Sequence, residues 1–503
     1  MKKIRFLSAL LALLMAGGSL AACANEGDPT QTNGQTYWSG TEEESALKDN
    51  LPDDLFYDDD EITIISRYVE GWTSGEIAVE GLKSESVNDA VFERNKKVEE
   101  RLGVKIISIE DSTSGADAVV NKVALAVKGG NKEYDVMAAP CYTTLPETLN
   151  GTFVNLRATE YLDFDKPWWT QGFNAAALHK DTQYALLGSM LLSMYRFGFV
   201  TVFNKDIFTD ANQPFLYEYV ENGSWTLDKQ ASLVPLLYKE NGDGIRDDNG
   251  DIYGFVSSNE TSIDAYWSAC KLDIITTTPE GEYEFVLDME RLHGVTDKLL
   301  QLFYETNGGT RYFALKEADA EQKDIRRMFA NGFAAMASLR MLELENSEMR
   351  SMEQEYGVVP IPKYDEAQDG YATLLHDQFT VVCIPVTVTD ERLDEVTAVL
   401  EAMSSASYQI VKPAYYETTL RTTIAQDPQS ADMMDIITDN VYIDPGIIYI
   451  SSLGSFHHGL RDVVMSHTNN SVSLFKARVA ACKKSLEKIS RKLENVALIQ
   501  SKP

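Results

Sequence analysis

The sequence predicts an α/β protein built as two lobes. Three observations carry that reading. The folded part opens with a β-α-β-α-β pattern inside about 80 residues, which is the pattern of a parallel sheet with helices on its faces. Roughly 440 residues follow a polar N-terminal stretch, more than one hydrophobic core usually serves. The composition, 44% hydrophobic and 10% aromatic, is that of an ordinary globular protein.

Taken in order, the chain starts with Lys2, Lys3 and Arg5, then residues 6–15, apolar except for Ser8. That run is half the ~20 residues a bilayer span needs, so it reads as a secretory signal peptide, residues 1–22. The small residues that end it, "LAAC" at 20–23, resemble the lipobox of bacterial lipoproteins, whose cysteine carries diacylglycerol after cleavage. Cys23 would then be the lipidated first residue of the mature chain; the alternative is an ordinary signal peptide with a chance cysteine. Two acyl chains suffice for stable anchoring. Residues 23–60 are poor in aliphatics and rich in Gly, Pro, Thr, Asn and acid, so they read as a disordered tether.

The first strand is expected at 62–65. Asn88 can cap a helix with the stripe Val91, Asn95, Val98, Leu102, which Gly103 would end. A second strand follows at 104–109. Ala116, Val120, Val123 and Val127 repeat at helical spacing up to Gly129-Gly130, and 134–140 makes the third strand. Ligands of such sheets bind beyond the carboxyl ends of the strands, here "RYVEGW" and "PCYTT".

Charge narrows the partners. The chain has 45 basic and 77 acidic residues, a net of −32, which argues against nucleic acid and other polyanions. Cys141, Cys270, Cys383 and Cys482 are far apart and form no CxxC, so buried thiols are expected instead of a disulfide framework.

Six segments, in order, carry a resemblance: "ITIISR…NKKVEERLGVKI…EYDVMAA", "VTVFNKDIF" (200–208), "GSWTLDK" (223–229), "RRMFANGFAAMAS" (326–338), "YGVVPIPKYDEAQDGY" (356–371), and "PAYYETTLR" with "DPQSADMMDII". Over residues 61 to 490 the chain resembles the extracellular solute-binding proteins, family 1-like, of bacterial ABC importers. The resemblance implies a two-lobed periplasmic-binding-protein-like fold with a hinge between two α/β lobes. Lobe 1 would take 61–194 and 376–410; lobe 2 would take 195–375 and 411–503 with C-terminal helices. The crossings are expected at 195–200 and 378–385, both largely apolar and the second β-branched, as buried hinge strands should be.

Candidate binding residues follow from the chemistry of sugars, whose apolar faces and hydroxyls call for aromatic platforms beside polar side chains. At strand-end positions these are Trp72, Tyr142, Tyr195 with Arg196, Tyr266 with Trp267, Arg340, and His376 with Asp377. Trp267 and Arg340 follow segments that in this family usually face the cleft. For each, core packing is the competing reading, and "DKPWW" (Trp168, Trp169) reads as packing. "KENGDGIRDDNGDIYGF" (239–255) aligns to a calcium loop through Asn241, Asp243, the Ile245 carbonyl and Asp247. Lys239 stands at its first position and Gly250 at its twelfth, so the competing reading is an Asx/Gly turn. His457 and His458 are adjacent and so are expected to point apart. No HExxH, GxSxG or GxxxxGK[ST] occurs.

The function expected is therefore a lipid-anchored binding protein on the outer face of a bacterial cytoplasmic membrane. It would be a monomer that captures a saccharide for an ABC permease, with no catalysis and no cofactor beyond the calcium candidate. A secreted glycoside hydrolase and a solute sensor partnering a membrane kinase are the alternatives.

Overall fold

The computed structural model describes residues 48–82, 85–314, 320–421 and 428–501. The signal peptide, Cys23 and residues 23–47 of the expected tether lie outside the described residues. The remainder of that tether is folded, contrary to expectation. Leu51 is buried, Asp49 takes both arms of Arg101, and Asn50 Nδ2 donates to Asp163 Oδ2 at 2.5 Å. A few apolar residues in an acidic stretch were enough to dock it, because the first long helix offers a basic partner.

The strands, in chain order, are β1 (Asp60–Arg67), β2 (Val104–Asp111), β3 (Val136–Pro140), β4 (Phe199–Asn204), β5 (Phe255–Ser258), β6 (Ile275–Thr277), β7 (Tyr283–Phe285), β8 (Thr310–Phe313), β9 (Met336–Arg340), β10 (Tyr356–Pro360) and β11 (Thr380–Cys383). The first lobe holds a sheet of order β11-β3-β1-β2, in which β1 runs parallel to β2 and β3 while β11 is antiparallel. The second lobe holds β10-β4-β9-β5-β8, with β5 parallel to its neighbours and β4 antiparallel to both of its own. β3 and β4 are buried along their whole lengths, as the continuous apolar runs of covered central strands should be.

The helix Ser86–Leu102 buries Val91, Asn95, Val98 and Leu102, the stripe read from the sequence, and ends at Gly103 with φ 62°. A side chain at Gly103 would meet both the left-handed backbone and the ring of Phe56, so glycine is required there. The start is Ser86 after Glu85, three residues before the point Asn88 suggested; Asn88 bonds sideways to Glu85.

The first crossing, between Arg196 and β4, lies where it was expected. The second comes earlier than 378–385, because 380–383 is already β11 of the first sheet. The two crossings pair antiparallel: His376 N donates to Phe197 O at 2.9 Å and Phe199 N to Leu374 O at 3.0 Å. A third segment joins them, with Thr373 N bonded to Asn440 O at 2.9 Å. The expected lobe boundary at 410 falls inside one helix, Asp390–Arg421. Val411 packs with Ala90 and Val91, so this helix stays with the first lobe beyond that point. The last helix, Ser471–Gln500, serves both lobes. Phe475 stacks on Trp267 of the second, while Gln500 Nε2 donates to Phe153 O at 2.7 Å in the first.

Trp168 and Trp169 are packing residues, both buried. Their indole N–H groups donate to the two oxygens of Glu401, at 3.1 and 2.9 Å. Glu401→Leu strips both donors of their acceptor and should destabilise the protein by about 2–5 kcal/mol, with Glu401→Gln milder. Urea unfolding midpoints measure this, and equal midpoints for the two variants would contradict it.

Candidate functional site: the interlobe cleft

The hinge delivers its own residues to the cleft. Trp72 sits on the loop after β1, and its ring meets Phe197 edge-on at 5.4 Å and His376 at 5.8 Å. From the opposite lobe comes Arg340, the last residue of β9, whose guanidinium carbon lies 4.8 Å from the centre of the Trp72 ring. Arg340 ends its strand where ligands of α/β sheets bind. It is held by Glu343, to whose Oε1 its Nη2 donates at 2.8 Å, and Glu343 also binds Arg326. Arg196 braces the Trp72 loop: it donates to Trp72 O at 3.2 Å and clamps Glu345 at 3.0 and 3.1 Å. The pocket between this loop and the second lobe has a volume of ≈ 630 Å³, with Glu70, Trp72, Lys323, Arg326, Glu345 and Arg350 among its lining residues. Charged and planar groups dominate it.

Deeper in the hinge, Asp377 Oδ1 stands 3.6 Å from His376 Nδ1. Burial, with the Asp264 carboxylate second, pushes the Asp377 carboxyl up to about 6. Burial, with the positive Arg340 second, pushes His376 well below its usual value, so its ring is neutral at pH 7. Arg67, at the end of β1, donates from Nη1 to Gln378 Oε1 at 2.7 Å.

The far corner is built from two elements of the second lobe. Asp264 comes from the helix Thr261–Ala269, and Arg461 from Gly459–Met465. Arg461 donates from Nε to Asp264 Oδ1 at 2.7 Å and from Nη2 to Oδ2. Burial alone would raise the Asp264 carboxyl; the fork of Arg461 and the nearby His457 overcome it and hold the group well below the usual range. His457 and His458 both bring Nε2 to 3.8 Å from Asp264 Oδ2. The expectation that these neighbours point apart is corrected: they lie on a 3-10 turn, Phe456–His458, with rings 4.4 Å apart.

Of the residues read from the sequence, Trp72, Arg340, His376 and Asp377 come together here. Tyr142 is half-buried at the first-lobe rim, where Ser451 Oγ of the opposing segment donates to its carbonyl at 2.9 Å. Trp267 is 1% exposed and forms the wall behind His457, at 6.0 Å. Tyr195 and Tyr266 are placed elsewhere. Tyr195 stacks on Tyr415 at 5.5 Å behind the hinge, and Tyr266 donates to Gln230 Oε1 at 3.1 Å inside the second-lobe core. Both rings are wholly buried, so they support the site without lining it. In the 239–255 loop, Asp243 and Asp247 accept from Ile245 N and Asn249 N, an Asx ladder around the buried Asp251. Asp264, Arg461, Glu343 and Arg67 were missed. Arg461 stands three residues after the His457–His458 pair, the one local signal that could have found it, and no local pattern marks a carboxylate that meets its arginine 197 residues away.

No protein-family model matches the chain, and no curated protein matches it in sequence. Solved structures match it in fold. The GacH receptor of Streptomyces glaucescens, solved unliganded and with acarbose, is 14% identical with a TM-score of 0.54, covering 85% of this chain and 99% of its own. The cyclic α-maltosyl-1,6-maltose binding protein of Arthrobacter globiformis is 12% identical at 0.55, over 85% and 99%. A cyclo/maltodextrin-binding protein in complex with maltotetraose is 11% identical at 0.53, over 85% and 97%. The chain therefore has the two-lobed fold of solute-binding proteins, and these three structures are of binding proteins. Among the described residues no helix is long and apolar enough to cross a membrane.

Proposed function

We propose that this protein captures a saccharide between its lobes and presents it to an ABC importer, as a monomer held by a lipid on Cys23 at the outer face of the cytoplasmic membrane. One observation carries the reading: Trp72 of one lobe faces Arg340 of the other across the hinge. A sugar offers an apolar face to the indole and hydroxyls to the guanidinium, Asp377 and Asp264. The contact needs the lobes together, so a ligand held by both residues favours the closed state. The fold's three relatives bind oligosaccharides of the maltose and acarbose kind, so α-glucans are the first candidates.

The glycosidase reading has one feature in its favour. Asp377 and Asp264 are two cleft carboxyls pushed in opposite directions, the arrangement that acid–base catalysis uses. One experiment separates the two. The mature chain is melted against a panel of mono- and oligosaccharides, and each mixture is then chromatographed. A ligand at 100 times its Kd stabilises the fold by about 2.7 kcal/mol. A shift without product is expected. Product formation would overturn the reading in favour of hydrolysis, and silence across the panel would remove the saccharide.

A further inference from the structure

We propose that Asp264, His457 and His458 form a binding site for a divalent transition-metal ion of the zinc class, opening into the cleft. The inference deepens the cleft reading and rests on it only for what the ion would touch. Among the described residues, these three gather one ligand atom each within 4.8 Å of one another, the only such set of three or more His, Cys, Asp or Glu. The two imidazole Nε2 atoms converge on the same oxygen, Asp264 Oδ2, each at 3.8 Å. That is too long for a hydrogen bond. It leaves a gap that an ion fills: the centre of such a triangle lies about 2.2–2.8 Å from each corner, and small inward movements reach the ~2.0–2.2 Å of zinc bonds to nitrogen and oxygen.

His457 is 4% exposed and its ring meets Trp267 edge-on at 6.0 Å, so packing holds its Nε2 facing the gap. Arg461 shares the site. Its fork fixes both carboxylate oxygens, with Nη2 donating to the same Oδ2 that the imidazoles face. The ion would therefore take the second lone pair of that oxygen. Glu260 lies 3.6 Å from Arg461 to offset its charge. Two imidazoles and a carboxylate suit zinc and its neighbours; an all-oxygen set would suit calcium. Three protein ligands leave a position open, and His458, 31% exposed, lets solvent or a ligand hydroxyl reach it.

The test is calorimetric titration of Zn²⁺ into the EDTA-stripped mature protein at pH 7.5, with Co²⁺ absorption as a second readout. One ion per chain is expected, weakened roughly 10–100-fold or more in His458→Ala and His457→Gln, each checked for an unchanged fold by circular dichroism. The visible bands of tetrahedral cobalt should vanish with either substitution. Binding unchanged in both variants, or no stoichiometric binding, overturns the proposal. The saccharide panel repeated in EDTA separates the failures: sugar binding without metal sustains the cleft reading even where the ion site fails.

Discussion

Arg461→Ala should cost the protein about 3–5 kcal/mol at neutral pH, among the largest losses a single substitution in the cleft can cause. The reason is the partner it leaves behind. Asp264 is 8% exposed, and both its oxygens are engaged by the guanidinium. Without Arg461 the carboxylate stays buried and close to Asp377, with no guanidinium to offset its charge. The pH dependence gives a sharper signature than the loss itself. In the native protein the Asp264 carboxyl sits below its usual value, so its contribution to stability is present above the ordinary aspartate range and is lost as pH falls through the depressed value. In Arg461→Ala that contribution is gone, and burial raises the carboxyl instead. The variant should then lose stability as pH rises from acid toward neutral, where the parent holds steady. Thermal melts of both proteins from pH 4 to 8 read this directly. Parallel profiles would show that the pair contributes nothing. Arg461→Lys should recover only part, because an ammonium cannot reproduce the two-armed contact.

The fold was legible because it is written in local patterns. The stripe of the helix Ser86–Leu102, the glycine after it, and the apolar β3 are decided by residues within one or two turns of each other. The cleft was legible only where a candidate sat at the end of a strand or on the loop just beyond it, as Arg340 and Trp72 do. Position relative to a strand end survives translation into three dimensions; side-chain direction does not. Tyr195 and Tyr266 failed for that reason, since a helix turn swings them into the cores while Arg196 and Trp267 beside them face other ways. Two ion pairs of the site, Arg196–Glu345 and Asp264–Arg461, join residues 149 and 197 positions apart, and nothing in a local window announces them; Arg340–Glu343, three apart, is the local exception. The 3-10 turn at His457 likewise depends on tertiary packing, with Phe456 wedged against Phe475 at 5.2 Å.

Trp72→Ala should weaken saccharide binding roughly 30–100-fold while leaving the melting temperature of the ligand-free protein nearly unchanged, since hot-spot aromatics at binding surfaces contribute 2 kcal/mol or more. Trp72 is only half-buried and lies on a loop that Arg196 continues to hold through its salt bridge to Glu345. Its removal therefore strips a platform without opening a core. Trp267 makes the control. It lies 6.0 Å from His457 and stacks on Phe475 at 5.8 Å, fully inside the second lobe. Trp267→Ala leaves a cavity and should cost about 3–5 kcal/mol of stability, with affinity falling only as far as the wall behind His457 relaxes. The two tryptophans thus separate the two roles that the sequence could not tell apart. Trp72→Phe should restore much of the affinity, because an aromatic face remains opposite Arg340. Arg340→Met should match Trp72→Ala in affinity, since Arg340, itself 1% exposed, sets the Trp72 ring from behind while Glu343 keeps Arg326 as a partner. Calorimetry on the four variants with one saccharide decides the matter. If Trp267→Ala lost affinity at intact stability while Trp72→Ala bound normally, the ligand would lie on the Asp264 side of the cleft and the Trp72–Arg340 contact would be a lobe-closing latch alone.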